Sequence, residues 1–123
     1  MIALLGVVAA SAIGAPARYL VDRSVARRTG STFPWGTLVI NVTGSFVLGL
    51  VVGLGLHHGL SKTAVSILGG GLCGAYTTFS TFSVESIRLV EEGALMEAVL
   101  NIAGSIAVGL LAAAAGLGLA VLL

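Results

Sequence analysis

Residues 74–83 read Gly-Ala-Tyr-Thr-Thr-Phe-Ser-Thr-Phe-Ser. The hydroxyls of Thr77, Thr78, Ser80, Thr81 and Ser83 stand beside two phenyl rings, Phe79 and Phe82, in a stretch without charge from Thr63 to Val84. Hydroxyl donors can replace water around a small ion, and ring edges carry the positive end of the aromatic quadrupole. The block therefore has the chemistry to take up an anion. Phe79 and Phe82, at i and i+3, share one helix face. Core packing is the competing reading of such a pair, and the residues alone leave both open.

Other polar residues interrupt apolar sequence in the same way. Arg18 and Tyr19 suit a membrane interface, where a long cationic stem snorkels to the headgroups; Arg18 could equally sit at the mouth of an anion path, with Asp22 as its local partner. Asn41 carries donors and an acceptor that hydrocarbon cannot satisfy, so it either bonds across helices or lines a wet vestibule. Glu85 and Arg88, at i and i+3, read as a membrane-edge ion pair, and an intramembrane carboxylate would point to function. Asn101, Gly104 and Ser105 form a polar stripe that should face inward. His57 and His58 lack acidic or thiol neighbours at ligand spacing and read as interfacial residues, and Cys73 as a small packing residue.

The elements that must carry these groups follow from composition. Of 123 residues, 57% are apolar and 9% charged, and the mean hydropathy is +1.10. Soluble domains carry about 25% charge, so the chain reads as an all-α integral membrane protein. Charge-free runs at 1–17, 29–61, 63–84 and 98–123 each hold the roughly 20 residues that cross a bilayer. The expected spans are 2–20, 35–56, 63–88 and 98–121, forming one four-helix transmembrane domain over 1–123. No positively charged n-region precedes the first span, so a cleaved leader is not expected. Gly69, Gly70, Gly71, Gly74, Thr77 and Thr78 are poor helix-interior residues. They mark the third helix as broken near its middle, and unwound carbonyls at that depth can bind a cation. Gly49 with Gly53, and Gly70 with Gly74, have the spacing that lets helices approach closely in lipid, which favours an oligomer.

Together, GAPARY in the first span, GTLVINVTGSF in the second and GLCGAYTTFSTFSVE in the third resemble the Fluc (CrcB) fluoride-channel family. The resemblance covers essentially the whole chain, and the last motif is highly specific. It implies passive export of fluoride across the cell membrane by a multi-pass protein. It also implies an antiparallel dimer with two narrow pores at the subunit interface and a structural, untransported sodium on the central axis. Carried over by position, Gly74 and Thr77 would give backbone carbonyls to the sodium. Asn41, Phe79, Ser80, Thr81, Phe82 and Ser105 would line the fluoride pathway, with Arg18 and Glu85 supporting it. Asn101 departs from the pattern, since a Tyr often stands there in related channels.

No enzymatic activity and no nucleic-acid partner are expected: the sequence offers no nucleophile–base pair, phosphate loop or carboxylate dyad. A small four-helix proton-coupled multidrug exporter is the rival reading. It needs an intramembrane carboxylate, for which Glu85 is the third span's one candidate. A silent assembly subunit is another, but it leaves the concentration of donors and rings unexplained. Arg23, Arg27, Arg28 and Arg88, with Arg18 at the edge, fall on one side of the expected topology, against Lys62 on the other. That asymmetry favours one orientation, so the dimer partner would be either the same chain or an oppositely oriented paralogue.

Overall fold

The computed structural model describes all residues, 1–123, and contains helices joined by short turns. Helix α1 spans Ile2–Thr29 and stops at Gly30, whose left-handed backbone (φ 54°) lets its N–H bond Ala26 O at 3.2 Å. Arg27 and Arg28 occupy its last turn, where cations complement the helix dipole. Helix α2 spans Trp35–His57, directly after Pro34. Helix α3 covers residues 62–76, with Ser61 capping its start by accepting from Ala64 N–H at 3.1 Å. Helix α4 spans Phe79–Glu91 and helix α5 spans Leu95–Leu122.

Helices α1, α2 and α5 are each long and apolar enough to cross a membrane, and α3 with α4 make the fourth, broken crossing. Only 19 of 123 residues are buried, while Leu4, Leu5, Val8, Leu110 and Leu111 are exposed. So thin a core cannot hold a fold in water, but the same surface suits lipid. The chain is a multi-pass membrane protein.

Backbone proximity, rather than large side chains, holds the helices together. A Cβ on Gly49 would strike the Ala113 carbonyl, and one on Gly116 the Phe46 carbonyl, so α2 and α5 meet main chain to main chain. Gly53 faces Ala120 in the same seam. On the other side, Gly14 of α1 lies against the Leu72 carbonyl, and Ser11 Oγ donates to Gly71 O at 3.2 Å. The Gly49/Gly53 pair thus works inside the chain, whereas a Cβ on Gly70 would meet nothing within 4 Å.

The third crossing is broken near its middle, as expected; among the residues that marked it, the break falls at Thr77 and Thr78 and not at the glycines. Residues Ser66–Cys73 stay wound as a π-helical stretch, and the chain becomes extended only at Thr77 (φ −75°, ψ 160°) and Thr78 (φ −147°, ψ 123°). Gly71 instead lets α1 pack closely, against Val7 and Ala10, and Gly69 faces Leu48 of α2. Helix α1 also continues nine residues past the expected end at 20, because its arginine-bearing turns leave the apolar span without losing backbone hydrogen bonds. The fourth crossing begins at Leu95 and carries its own π-helical stretch, Leu100–Gly104, around Asn101.

Candidate ion path at the broken helix

The break sits where the C-terminus of α3 meets the N-terminus of α4. Asn41, on α2, closes it with both ends of its amide: Nδ2 donates to Thr78 O at 2.9 Å, and Oδ1 accepts from Thr78 N–H at 2.8 Å. A side-chain amide here imitates a paired backbone strand, which is why an extended residue survives in an apolar setting. Thr78 then caps α4. Its hydroxyl accepts from Thr81 N–H at 3.3 Å and donates to Thr81 Oγ1 at 3.1 Å, with Ser80 Oγ 3.4 Å away. An extended N-cap whose side chain accepts from N3 is the arrangement that starts a helix.

Opposite electrical ends therefore meet at one point. The first N–H groups of α4 point out of the helix and favour negative charge. On the α3 side, Gly74 O loses its ordinary helical donor, because the Thr78 N–H is spent on Asn41. Thr77 O accepts from Arg18 Nη1 at 3.4 Å. Arg18 is thus tied to the break rather than to Asp22, since α3 brings a carbonyl within reach of its long side chain. Thr77 Oγ1 turns back to Cys73 O at 2.9 Å.

Phe79 and Phe82 head α4 with ring centroids 5.7 Å apart and planes tilted by 41°. Phe79 is 80% exposed, so within one chain the pair is not core packing. Asn41, Thr77, Thr78 and Phe79 share a concavity of about 240 Å³. A second, about 210 Å³, is lined by Arg18, Asp22, Thr37, Thr78 and Thr81. A third, about 240 Å³, holds Asp22, Glu85 and Arg88. Thr78 is common to the first two and Asp22 to the last two, so the three form a series from mid-α2 to the far end of α4.

The expected site residues divide accordingly. Asn41, Thr77, Phe79, Thr81, Arg18 and Glu85 line this series, with Gly74 and Ser80 exposed beside the break and Phe82 half-buried. Ser105 lines none of the three; its hydroxyl donates to Asn101 Oδ1 at 3.4 Å. Asn101 is completely buried and faces inward, whereas a Cβ on Gly104 would meet nothing within 4 Å. Glu85 Oε2 is buried without any hydrogen-bond partner, so Arg88 does not satisfy it as a simple ion pair would. The neighbouring groups are Thr37, Asp22 and Arg88. His58 Nε2 lies 2.6 Å from Ala120 O, tying the second turn to α5.

Sequence reading passed over Thr37, Ser86 and Tyr76. Thr37 is buried between the second cavity and Glu85, and Tyr76 OH meets Thr43 Oγ1 at 2.9 Å. Thr37 lies one helical turn before Asn41, a spacing from which its shared face could have been read.

Residues 5–117 match the family described as CrcB-like protein, Camphor Resistance (CrcB). The chain belongs to the CrcB family. Among similar CrcB proteins, fluoride-specific ion channel FluC 1 of Frankia casuarinae is 49% identical over 119 residues, covering 93% of this chain and 92% of that protein. FluC 1 of Streptomyces avermitilis is 51% identical over 110 residues, 89% of either chain. FluC of Shewanella halifaxensis is 45% identical over 105 residues, 85% of either chain. The CrcB match takes in every residue of the broken crossing and its Asn41 clamp.

Proposed function

We propose that this CrcB protein is a subunit of a fluoride-selective channel that lets fluoride leave the cell passively through the cell membrane. One observation carries the reading: a membrane helix opened at Thr77–Thr78 and clamped by Asn41, with Phe79 and Phe82 at the head of the restarted helix. Fluoride is small and strongly hydrated, so a path for it must offer many replacement donors. The hydroxyls of Ser80 and Thr81, the remaining N–H of Asn41 and the first N–H groups of α4 supply them. Ring edges add contacts that attract an anion without fixing it, and conduction needs such intermediate, multi-site binding. No covalent step is involved, and the protein is not an enzyme.

A pore needs a second wall. The exposed Phe79 ring and the open face at Gly70 suit a partner in antiparallel orientation, which would bring the two breaks together about a two-fold axis. Gly74 and Thr77 would then hold a sodium ion through backbone carbonyls. The donor set fits: Gly74 O has lost its helical donor and Thr77 O has only the long contact to Arg18, and hard cations take oxygen ligands. A bound sodium would supply a fixed positive charge at the break, where the concavity shared by Asn41, Thr77, Thr78 and Phe79 has no charged side chain.

The partner is either the same chain or a paralogue inserted the other way. Arg88 and the end of α1 flank one concavity while Lys62 lies beside Leu56 and Leu60, so the positive side chains gather at one end and favour a single orientation. Tagging both termini and mapping their sides tests this; equal labelling on the two faces removes the paralogue. The buried, unpartnered Oε2 of Glu85 is what favours a proton-coupled exporter. Efflux from liposomes separates the two readings. Purified protein should release fluoride far faster than chloride with no proton gradient; equal release of both ions overturns the channel, and the same experiment shows whether this chain conducts without a paralogue.

A further inference from the structure

Beyond the break, a second amide is buried against α4 where the anion path has no evident use for it. Asn101 is 0% exposed and Ser86 is 5% exposed. Asn101 Nδ2 donates to Ser86 Oγ at 2.9 Å, Ser86 Oγ donates to Phe82 O at 2.7 Å, and Ser105 Oγ donates to Asn101 Oδ1. The three bonds run head to tail from α5 into the carbonyl of Phe82, and chains of this kind polarise and reinforce one another. The π-helical stretch Leu100–Gly104 holds Asn101 near its start, and such local widening often accompanies functional sites.

Phe82 and Ser86, four residues apart, share one face of α4, and Thr78, its extended N-cap, precedes Phe82 by the same interval. Asn41 of α2 grips Thr78, Asn101 of α5 grips Ser86, and Phe82 lies between. We propose that Asn101 is a positioning residue of the anion path: with Asn41 it fixes the rotation of α4, and so the direction in which the Phe79 and Phe82 edges face. This inference rests on the fluoride-channel reading above. The rest of the N-terminal turn has little else to hold it, since Phe79, Ser80 and Thr81 are all exposed. A rotation of about 10° moves a group about 6 Å from the helix axis by about 1 Å, an error of the size that spoils a preorganised site.

The test is single-channel fluoride current in planar bilayers, with dimer content measured by size exclusion. Asn101→Ala should still assemble but pass at least about tenfold less current per channel, within the loss of up to about a hundredfold that a displacement of about 1 Å can cost a preorganised site. Exchanging the partners, Asn101→Ser with Ser86→Asn, should restore at least half of the loss. If Asn101→Ala fails to assemble, Ser86→Ala cuts the same chain more gently and should show the reduced current. Unchanged current per channel in the assembling variant, with only dimer content or melting temperature reduced, overturns the positioning role. So does an exchanged pair that assembles and regains nothing. Wild-type protein that passes no fluoride even when reconstituted with an oppositely oriented paralogue rejects the channel reading itself, and this inference with it.

Discussion

Asn41 is the residue at which scaffold and path can be separated, because Asp and Ala remove different things. Asn41→Ala deletes both bonds to the Thr78 backbone, which is 8% exposed. An unsatisfied buried group costs about 1–3 kcal/mol, but water can enter the adjacent concavity, so a loss of about 2 kcal/mol in total is expected. Asn41→Asp keeps the acceptor for Thr78 N–H and adds a negative charge to a concavity of about 240 Å³. A sphere of that volume has a radius of about 4 Å, and two like charges about 4 Å apart repel by about 4 kcal/mol at an effective dielectric of about 20. That lowers anion occupancy by about a thousandfold. Fluoride-electrode efflux from liposomes, with size exclusion to confirm assembly, should find Asn41→Asp assembled and silent at neutral pH. Lowering the pH should restore part of the flux, since protonation removes the charge and returns a donor. Efflux by the assembled Asp variant within a factor of two of wild type at neutral pH would refute the placement of Asn41 in the path.

Other expectations are equally open to measurement. Phe79→Ile or Phe82→Ile should abolish fluoride efflux while size exclusion still shows the dimer; undiminished efflux ends the pore-lining role of the rings. Removing sodium should impair assembly or conduction, and indifference to it would discard the Gly74–Thr77 cation site. Gly116→Ala forces a Cβ into the Phe46 carbonyl and should destabilise the chain by about 1–3 kcal/mol, read as a lower melting temperature in detergent. Gly70→Ala, with nothing within 4 Å, should leave the single chain's stability intact, so a dimer lost in that variant would place Gly70 at the partner's surface.

The bonds made by Asn41 and Asn101 mark how far the sequence could be read. A polar amide in an apolar span must find partners, so both were legible as residues that face protein or water. Which partner each finds was not. Asn41 could have crossed to a neighbouring side chain; it pairs with the main chain of Thr78 because that residue is extended in the place where α2 passes. Glycines and paired threonines together predicted a broken third crossing, and the break falls at the threonines while the glycines stay wound. A weak helix former is also a residue that admits a neighbour's backbone, and only packing decides which property is used. Arg18 and Asp22 share a helix face, but the Thr77 carbonyl at the break, 59 residues on, competes successfully.

What the sequence determined by itself was the solvent and the segmentation. Few charges and four long uncharged runs point to a helix-spanned bilayer, where apolar side chains meet lipid and each helix satisfies its own backbone, and the Thr77–Ser83 chemistry marks where an ion could pass. Tertiary structure decided the position of the break, the clamps that hold it and the series of concavities along it. Those depend on groups far apart in the chain meeting within hydrogen-bond distance: Asn41 and Thr78 are 37 residues apart, and Arg18 and Thr77 are 59. Periodicity carries information over one or two turns of helix, while such meetings are set by how glycine-lined helices settle against each other.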